Sequence, residues 1–199
     1  MAPVPVPRDK LHEFASFEAF YDWLAAHHDS ADEVWIRIFK KASGQPTISP
    51  VEAIDAVLCW GWIDAIKKSW DEVSFVQRYC PRRPKSVWSQ VNRDNVARLT
   101  EAGLMTAHGL VHVEAAKADG RWDAAYKTTQ APPDDLLAAI AADPAAQRIY
   151  DQLTAQNRFA LTFRTVSLKT EAGRARKIAT LVAMLARGET IYPQKLERE

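Results

Sequence analysis

The chain has 199 residues, 47% of them apolar and 26% charged, a balance typical of a globular protein with one or two domains. Its formal net charge of +1 creates no strong field, so we expect no nucleic-acid partner. We expect no membrane span, because no apolar run approaches about 18 residues. The Pro-rich start lacks the apolar core of a secretory signal, and Cys59 and Cys80 lie in no ligand motif. The sequence therefore predicts a cytoplasmic protein with reduced thiols and without a metal or cofactor.

The first half of the chain predicts a small sheet flanked by helices. Residues 1–13 are rich in proline and predict a flexible segment. Ser16 precedes apolar residues at helical spacing, and Ser49 and Glu52 form a capping box, so we expect a helix after each serine, the second one ending at Gly61. Three stretches with the pattern of strands predict a three-stranded antiparallel sheet, at residues 34–41, 62–68 and 73–80.

The second half of the chain predicts helices alone. A helical pattern begins at Ser86 and runs to Ala102, and a second runs from about Thr106 to Ala118. After a Pro-rich break, further helices are expected at residues 134–142, 144–156 and 171–186. The predicted class is α+β, with an α+β domain, an all-helical C-terminal domain and a tail at residues 14–130, 134–190 and 191–199.

Several short motifs occur in an order that resembles a known family. They are Trp-Gly-Trp-Ile-Asp at 60–64, Arg78 with Pro-Arg-Arg at 81–83, Ser-Val-Trp-Ser at 86–89 with Asn92, Gly-Leu-Met at 103–105 and the stretch ending in Gly-Arg-Trp at 116–122. With the helical C-terminal part, they resemble the YdeI/OmpD-associated family, also called bacteriocin-protection proteins, over residues 14–190. The family's usual Thr-Arg-x-Arg-Arg-Ile segment is altered here at Gly173 and Lys177.

The resemblance implies a fold and a physiological setting. It implies an OmdA-like helical C-terminal domain, and a bacterial role in tolerance of bacteriocins or antimicrobial peptides, as part of a stress response or of self-protection. It implies no catalytic residues, because the family has no agreed ones. The chemistry of the protein has to be sought in its own side chains.

One region of the sequence interleaves tryptophans with polar side chains. Trp60 and Trp62 lie close to Asp64, and Trp88 follows a basic turn. In a ligand site, flat apolar walls provide contact area and a few polar groups orient the ligand. The sequence therefore predicts a binding cleft with indole walls, and its polar groups are Asp64, Arg78, Arg82, Arg83, Ser89 and Asn92.

Two parts of this predicted cleft have alternative interpretations. Asp64 and Arg78 fall on the two strands of a predicted hairpin, where they could form a bidentate pair. That pair either fixes the sheet or lies in the cleft, with Asp64 orienting a ligand or acting as acid or base. Arg82 and Arg83 stand between two prolines, on a stiff turn that suits a carboxylate or phosphate or leaves both arginines solvated.

The start of the helix predicted after Ser86 is a third element of the cleft. It carries Trp88, Ser89 and Asn92, with Trp88 and Asn92 on one face. The free N–H groups of a helix N-terminus favour an anion, so this is the strongest local signal for an anionic ligand. The alternative is that Ser86 only caps the helix and Trp88 fills the core.

Outside the predicted cleft, structural roles are the alternative to functional ones. His108 and His112 have a spacing that suits a metal, but no third ligand accompanies them. Cys59 lies near a helix C-terminus, which predicts a buried apolar side chain rather than a nucleophile. A basic face at the start of the last helix is either solvated or binds an acidic partner surface, and its members are Arg174, Arg176 and Lys177.

Together these signals favour a non-enzymatic protein that binds a small molecule or peptide, anionic or amphipathic. In this interpretation Asp64 takes a cationic group, while Arg78, Arg82 and Asn92 hold polar or anionic groups. One alternative is an enzyme acting on a small metabolite, with Asp64 as acid or base. Another is an interaction module that uses the basic C-terminal helix. The sequence leaves the ligand and the oligomeric state open.

Overall fold

The computed structural model describes residues 5–127, 131–168 and 170–197. Within these residues the chain forms eight α-helices and four β-strands, which confirms the predicted α+β class. It divides into two compact units, Met1–Tyr126 (unit 1) and Lys127–Glu199 (unit 2). The ends of three predicted segments, residues 1–4, 128–130 and 198–199, lie outside the described residues. No helix in the described ranges is long and apolar enough to cross a membrane.

Unit 1 contains a mixed four-stranded sheet. β1 (Leu11–His12) pairs parallel with β2 (Val34–Phe39). β4 (Ser74–Pro81) pairs antiparallel with both β2 and β3 (Trp62–Ser69), giving the order β1-β2-β4-β3. The predicted three-stranded antiparallel sheet is right for the three long strands and wrong in omitting β1. A strand of two residues is too short to show alternation, so only its pairing with β2 reveals it.

Four helices complete unit 1, and their starts are set by local capping. They are α1 (Phe17–His27), α2 (Pro50–Cys59), α3 (Gln90–Glu101) and α4 (Ala107–Ala118). The predicted starts of α1 and α2 are confirmed, because the Ser16 hydroxyl caps α1 and the Ser49–Glu52 capping box is fully formed at α2. After α2 the chain turns at Gly61, which has the expected left-handed backbone with φ of 72°.

The start of α3 differs from the prediction. The sequence pattern places it at Ser86, whereas α3 begins at Gln90 with Ser89 as its N-cap. The residues just before it are held by Tyr126, whose backbone N–H donates to the Trp88 carbonyl and whose carbonyl accepts from Gln90. This pairing joins positions more than 30 residues apart, so no local pattern could predict it.

Unit 2 is all-helical. Its helices are α5 (Asp134–Ala141), α6 (Pro144–Asp151), α7 (Ala155–Val166) and α8 (Glu171–Ala186), around a core of leucine, isoleucine and alanine side chains. The bounds predicted for α8 are confirmed. The single helix predicted over residues 144–156 is wrong, because α6 stops at Asp151 and Thr154 caps a separate α7.

Candidate functional site

A buried arginine lies where the ends of β3 and β4 meet. Arg82 follows β4 directly, and its backbone N–H donates to the Gly61 carbonyl at 3.0 Å, which ties the end of β4 to the turn that precedes β3. Its side chain is only 3% exposed. Since arginine is rarely buried without a partner, its surroundings indicate what it does there.

The Arg82 guanidinium is held in a fixed orientation. Its central carbon lies 3.8 Å from the centre of the Trp88 ring, and Nη1 donates to the Val87 carbonyl oxygen at 3.1 Å. The other two nitrogens, Nε and Nη2, are buried and have no hydrogen-bond partner among the described residues. Burial lowers the pKa of Arg82 to about 10, although Asp64 opposes this shift. The Nε and Nη2 edge of the guanidinium is thus held in one orientation and makes no hydrogen bond to a described residue.

Asp64 provides the opposite charge near this arginine. It lies on β3 with Tyr79 of β4 as its register partner. Burial raises the pKa of the Asp64 carboxyl, and the charge of Arg82 lowers it in part. In the described part of the chain Asp64 forms no ion pair, with Arg82 or with any other residue.

Two tyrosines lie within the influence of Asp64. Tyr79 is fully buried, and its hydroxyl has no hydrogen-bond partner among the residues described. Burial first, and then Asp64, raises the pKa of Tyr79. The same two causes raise the pKa of Tyr126, which is half-buried and bonds through its side chain to Ser89. Both phenols therefore stay neutral at pH 7 and can donate or accept a hydrogen bond.

His112 and Arg121 extend the group on the helical side. A Cβ added to Gly61 would lie 2.5 Å from the His112 ring, so the ring packs directly against this glycine. Burial lowers the pKa of His112, and the charges of Arg82 and Arg121 lower it further. Arg121 donates to the Asp119 carboxylate and to the Ser86 carbonyl at 2.9 Å. We call this group the Arg82 cluster, and its members are Asp64, Tyr79, Arg82, Trp88, His112, Arg121 and Tyr126.

The predicted indole walls do not surround one open cleft. Trp62 and Trp88 are each 2% exposed and belong to different apolar clusters of unit 1. The Trp62 indole N–H donates to the His28 carbonyl, and Trp60 packs against the rings of His28 and His108. The tryptophans therefore act as core, except that Trp88 also supports the Arg82 guanidinium.

The predicted pair of Asp64 and Arg78 does not form. Arg78 pairs instead with the Glu33 carboxylate. Asp64 has Tyr79 as its register partner, and successive residues of a strand point to opposite faces, so Arg78 points away from Asp64. A hairpin centred near residues 70–71 would place Asp64 nearly opposite Gln77. The turn lies further along the chain, so Gln77 pairs with Lys67 and Asp64 pairs with Tyr79.

The remaining predicted cleft residues have separate roles. Arg83 is exposed, unlike its buried neighbour Arg82. The Ser89 hydroxyl accepts from the Asn92 backbone N–H and so caps α3, which uses one of the free N–H groups predicted to bind an anion. Asn92 is half-buried in the first turn of α3. The structure thus brings Asp64, Arg82 and Trp88 together and leaves the others at the margin or elsewhere.

The basic face of α8 is partly neutralised within unit 2. Arg174 binds Asp135 of α5 through two parallel bonds, from Nε and from Nη2, each 2.6 Å long. Arg176 is exposed and Lys177 half-buried. Elsewhere, burial raises the pKa of the Cys59 thiol to about 12, which agrees with an apolar side chain. The described residues contain no group of three or more His, Cys, Asp or Glu suited to a metal ion.

Sequence reasoning missed four members of the Arg82 cluster. Tyr79 and Arg121 lie inside motifs that were read for other residues, and Tyr126 lies in no motif. His112 is considered only as a metal ligand with His108. The available signal was Gly61, because a glycine with a left-handed backbone between two tryptophans indicates close approach by another part of the chain.

The geometry defines an α+β protein whose N-terminal unit holds a buried arginine, with two of its nitrogens unpaired among the described residues. Residues 12–112, about half of its length, match the family described as Domain of unknown function (DUF8412), so the chain belongs to that family. Residues 131–188 match the family described as Bacteriocin-protection, YdeI or OmpD-Associated, which confirms the resemblance for the helical unit. The motifs of that resemblance between residues 60 and 105 fall within the DUF8412 match, and the stretch at 116–122 lies in neither match. Neither a curated protein nor a solved structure matches the chain.

Proposed function

We propose that the protein binds a small molecule or peptide, and that unit 1 holds an anionic group of this ligand on the Nε and Nη2 edge of Arg82. The observation that carries the proposal is the buried guanidinium with two unpartnered donors. Leaving a buried donor without a partner costs about 1–3 kcal/mol. Groups that lower stability in this way are concentrated at functional sites, where a bound ligand supplies the missing partner.

The shape of this edge favours a carboxylate or a phosphate. Nε and Nη2 of arginine form a planar fork that bonds both oxygens of a carboxylate at once. The Arg174–Asp135 pair shows this geometry in the same chain, with both bonds at 2.6 Å. Because Trp88 and Val87 already fix the Arg82 guanidinium, little further order is lost when an anion binds.

The cluster borders solvent on the side of its half-buried members. Asp64, His112, Arg121 and Tyr126 are all intermediate in exposure, whereas Arg82 is covered. A ligand reaches Arg82 by displacing some of these side chains. This requirement favours a small ligand, or the end of a peptide, over a folded partner.

The setting of the proposed binding comes from the helical unit. The family matched by residues 131–188 is described by bacteriocin protection. We propose that ligand binding by unit 1 serves tolerance of a bacteriocin or antimicrobial compound in the cytoplasm.

Asp64 favours an enzyme as the second candidate. A carboxyl whose pKa is raised by burial suits general acid or base catalysis. Asp64→Asn separates the two functions, because the carboxamide keeps the size of the side chain and cannot transfer protons. In this variant a binding protein loses at most some affinity, whereas an enzyme keeps its ligand and loses turnover.

A ligand screen with a matched pair of variants tests the main proposal. The full chain is melted in the presence of carboxylic acids, phosphate esters and short peptides, since a ligand that binds only the native state raises the melting temperature. A positive compound is then tested on Arg82→Gln and on Arg83→Gln. Arg83 is the control because it adjoins Arg82 and is exposed.

We expect the compound to stabilise the wild type and Arg83→Gln but not Arg82→Gln. Circular dichroism checks that Arg82→Gln is folded, and Arg82→Lys, which keeps the charge and loses the fork, is expected to bind weakly. The proposal fails when no anionic compound raises the melting temperature. It also fails when Arg82→Gln responds as fully as Arg83→Gln.

A further inference from the structure

Building on the proposed function, we infer that the ligand is a zwitterion with an ammonium group beside its carboxylate, as in a free amino acid or a small compound of that type. Arg82 holds the carboxylate, and Asp64 together with the Tyr79 hydroxyl holds the ammonium group. Three polar groups carry the inference. The Arg82 edge and the Tyr79 hydroxyl are buried and have no hydrogen-bond partner among the described residues. The Asp64 carboxylate forms no ion pair among them.

The charges of Asp64 and Arg82 balance each other without touching. Asp64 lies on β3 close to its pairing with the end of β4, and the Arg82 backbone N–H donates to the Gly61 carbonyl just before β3, so the two residues lie at the same end of this strand pair. Each charge also shifts the pKa of the other. They nevertheless form no ion pair among the residues that the structure describes. A molecule placed between them meets a guanidinium on one side and a carboxylate on the other.

This arrangement discriminates between classes of ligand. A simple anion is attracted by Arg82 but repelled by Asp64. A simple cation is attracted by Asp64 but repelled by Arg82. A zwitterion satisfies both groups and brings no net charge into the cluster. Burying a net charge is costly, so the neutral dipolar ligand is favoured.

Tyr79 supplies a further contact for the ammonium group. Its hydroxyl is buried and has no partner among the described residues, and Tyr79 is the register partner of Asp64 on the adjacent strand. An ammonium group has three donors and needs several acceptors in a dry site. The Asp64 oxygens and the Tyr79 oxygen provide them from adjacent strands at one register position.

The test compares matched ligands on the full chain. Each of the twenty L-amino acids is titrated by calorimetry, and the tightest binder is then compared with its deaminated acid and with its N-acetyl derivative. Both analogues keep the carboxylate and lose the ammonium group. The variants are Asp64→Asn and Tyr79→Phe, with Asp123→Asn as control because the Asp123 side chain is 83% exposed.

We expect the amino acid to bind at least about tenfold tighter than either analogue, since a hydrogen bond to a charged group is worth roughly a factor of ten or more. Asp64→Asn removes this difference, Tyr79→Phe reduces it, and Asp123→Asn leaves it unchanged. The deaminated acid still binds Asp64→Asn through Arg82.

The two levels of the proposal fail in different ways. If the deaminated acid binds the wild type as tightly as the amino acid, the ligand is an anion. The zwitterion inference is then wrong and the proposed function stands. If neither the amino acids nor their deaminated acids bind, the zwitterion inference is wrong, and the phosphate esters and short peptides of the melting screen decide the proposed function. If the preference for the amino acid survives in Asp64→Asn, the ammonium site is not at Asp64 and the inference is wrong.

Discussion

Arg82 in unit 1 and Arg174 in unit 2 use the same chemical group in opposite ways. Arg174 lies near the surface, and its Nε and Nη2 edge is filled by Asp135 at 2.6 Å on both bonds. Arg82 is buried, and the same edge has no partner within the described residues. The first arginine joins two helices of its unit. The second has two buried donors without a partner among the described residues, which is the reason that we propose it as a ligand site.

The carboxylates near these two arginines, Asp135 and Asp64, differ in the direction in which their pKa is shifted. The bonds from Arg174 lower the pKa of Asp135, whereas burial raises the pKa of Asp64 in spite of Arg82. The Arg174–Asp135 pair thus stabilises the charged forms of its members, whereas burial disfavours the charged forms of Asp64 and Arg82. Functional sites commonly carry such a cost in stability. Variants can test each side of this contrast.

The largest loss of stability is expected at Gly61, because the His112 ring of the Arg82 cluster packs directly against this glycine. Gly61→Ala places a Cβ 2.5 Å from the ring on a backbone with φ of 72°, so both strain and overlap arise. Gly44→Ala is the control, because φ is 68° there but nothing lies within 4 Å of the added Cβ. We expect Gly44→Ala to cost about 1–2 kcal/mol and Gly61→Ala about 1–3 kcal/mol more. Equal losses in urea denaturation would show that His112 does not pack on Gly61.

Replacing each arginine by methionine is expected to change stability in opposite directions. Arg82→Met removes a buried charge with two unpaired donors, and we expect the free energy of unfolding to rise by about 1 kcal/mol. Arg174→Met removes two good bonds and is expected to lower the melting temperature. Denaturant titration of the two variants beside the wild type provides the measurement. A clear loss of stability in Arg82→Met would indicate that Arg82 is a structural residue.

The two aspartates are expected to give opposite pH dependences. The folded pKa of Asp64 is raised, so stability is lost as pH rises from 3.8 through the folded value. The folded pKa of Asp135 is lowered, so its contribution is present above 3.8 and is lost as pH falls. At pH 7 we therefore expect Asp64→Asn to stabilise and Asp135→Asn to destabilise. Melting curves between pH 3 and 7 would contradict this if both variants shifted in the same direction.

A smaller effect is expected from His112. Its folded pKa is lowered from 6.5, so the unfolded chain binds a proton more readily, and stability falls as pH drops below 6.5. His112→Gln should reduce this loss of stability at acid pH. Part of the loss should remain, because burial and His27 also lower the pKa of His12. The comparison of wild type and variant between pH 5 and 7 isolates the His112 share. Superimposable profiles would show that the Arg82 cluster does not affect His112.

The sequence predicted best what is decided locally. Ser16 and the Ser49–Glu52 capping box set helix starts within a few residues, and Gly61 ends a helix by its own backbone preference. These signals need no knowledge of distant contacts. The α+β class and the bounds of α8 follow from the same kind of pattern.

The site was harder to predict because distant contacts decide it. A basic turn between prolines indicates exposed arginines, and Arg83 behaves in that way. Arg82 is buried only because Trp88 supports its face and the backbone near Gly61 holds its N–H. Likewise, Tyr126 holds the chain before α3 in place, so the helix starts three residues later than a local cap would allow.

The most direct test of the account follows the Arg82 Nε–H group itself. In the full chain labelled with ¹⁵N-arginine, the Nε–H signals of Arg82 and Arg174 are assigned with Arg82→Lys and Arg174→Lys, and the tightest-binding amino acid or carboxylate is then titrated in. We predict that the Arg82 signal shifts with the ligand while that of Arg174, already bonded to Asp135, stays in place. A ligand that binds and leaves the Arg82 signal unmoved would contradict the account.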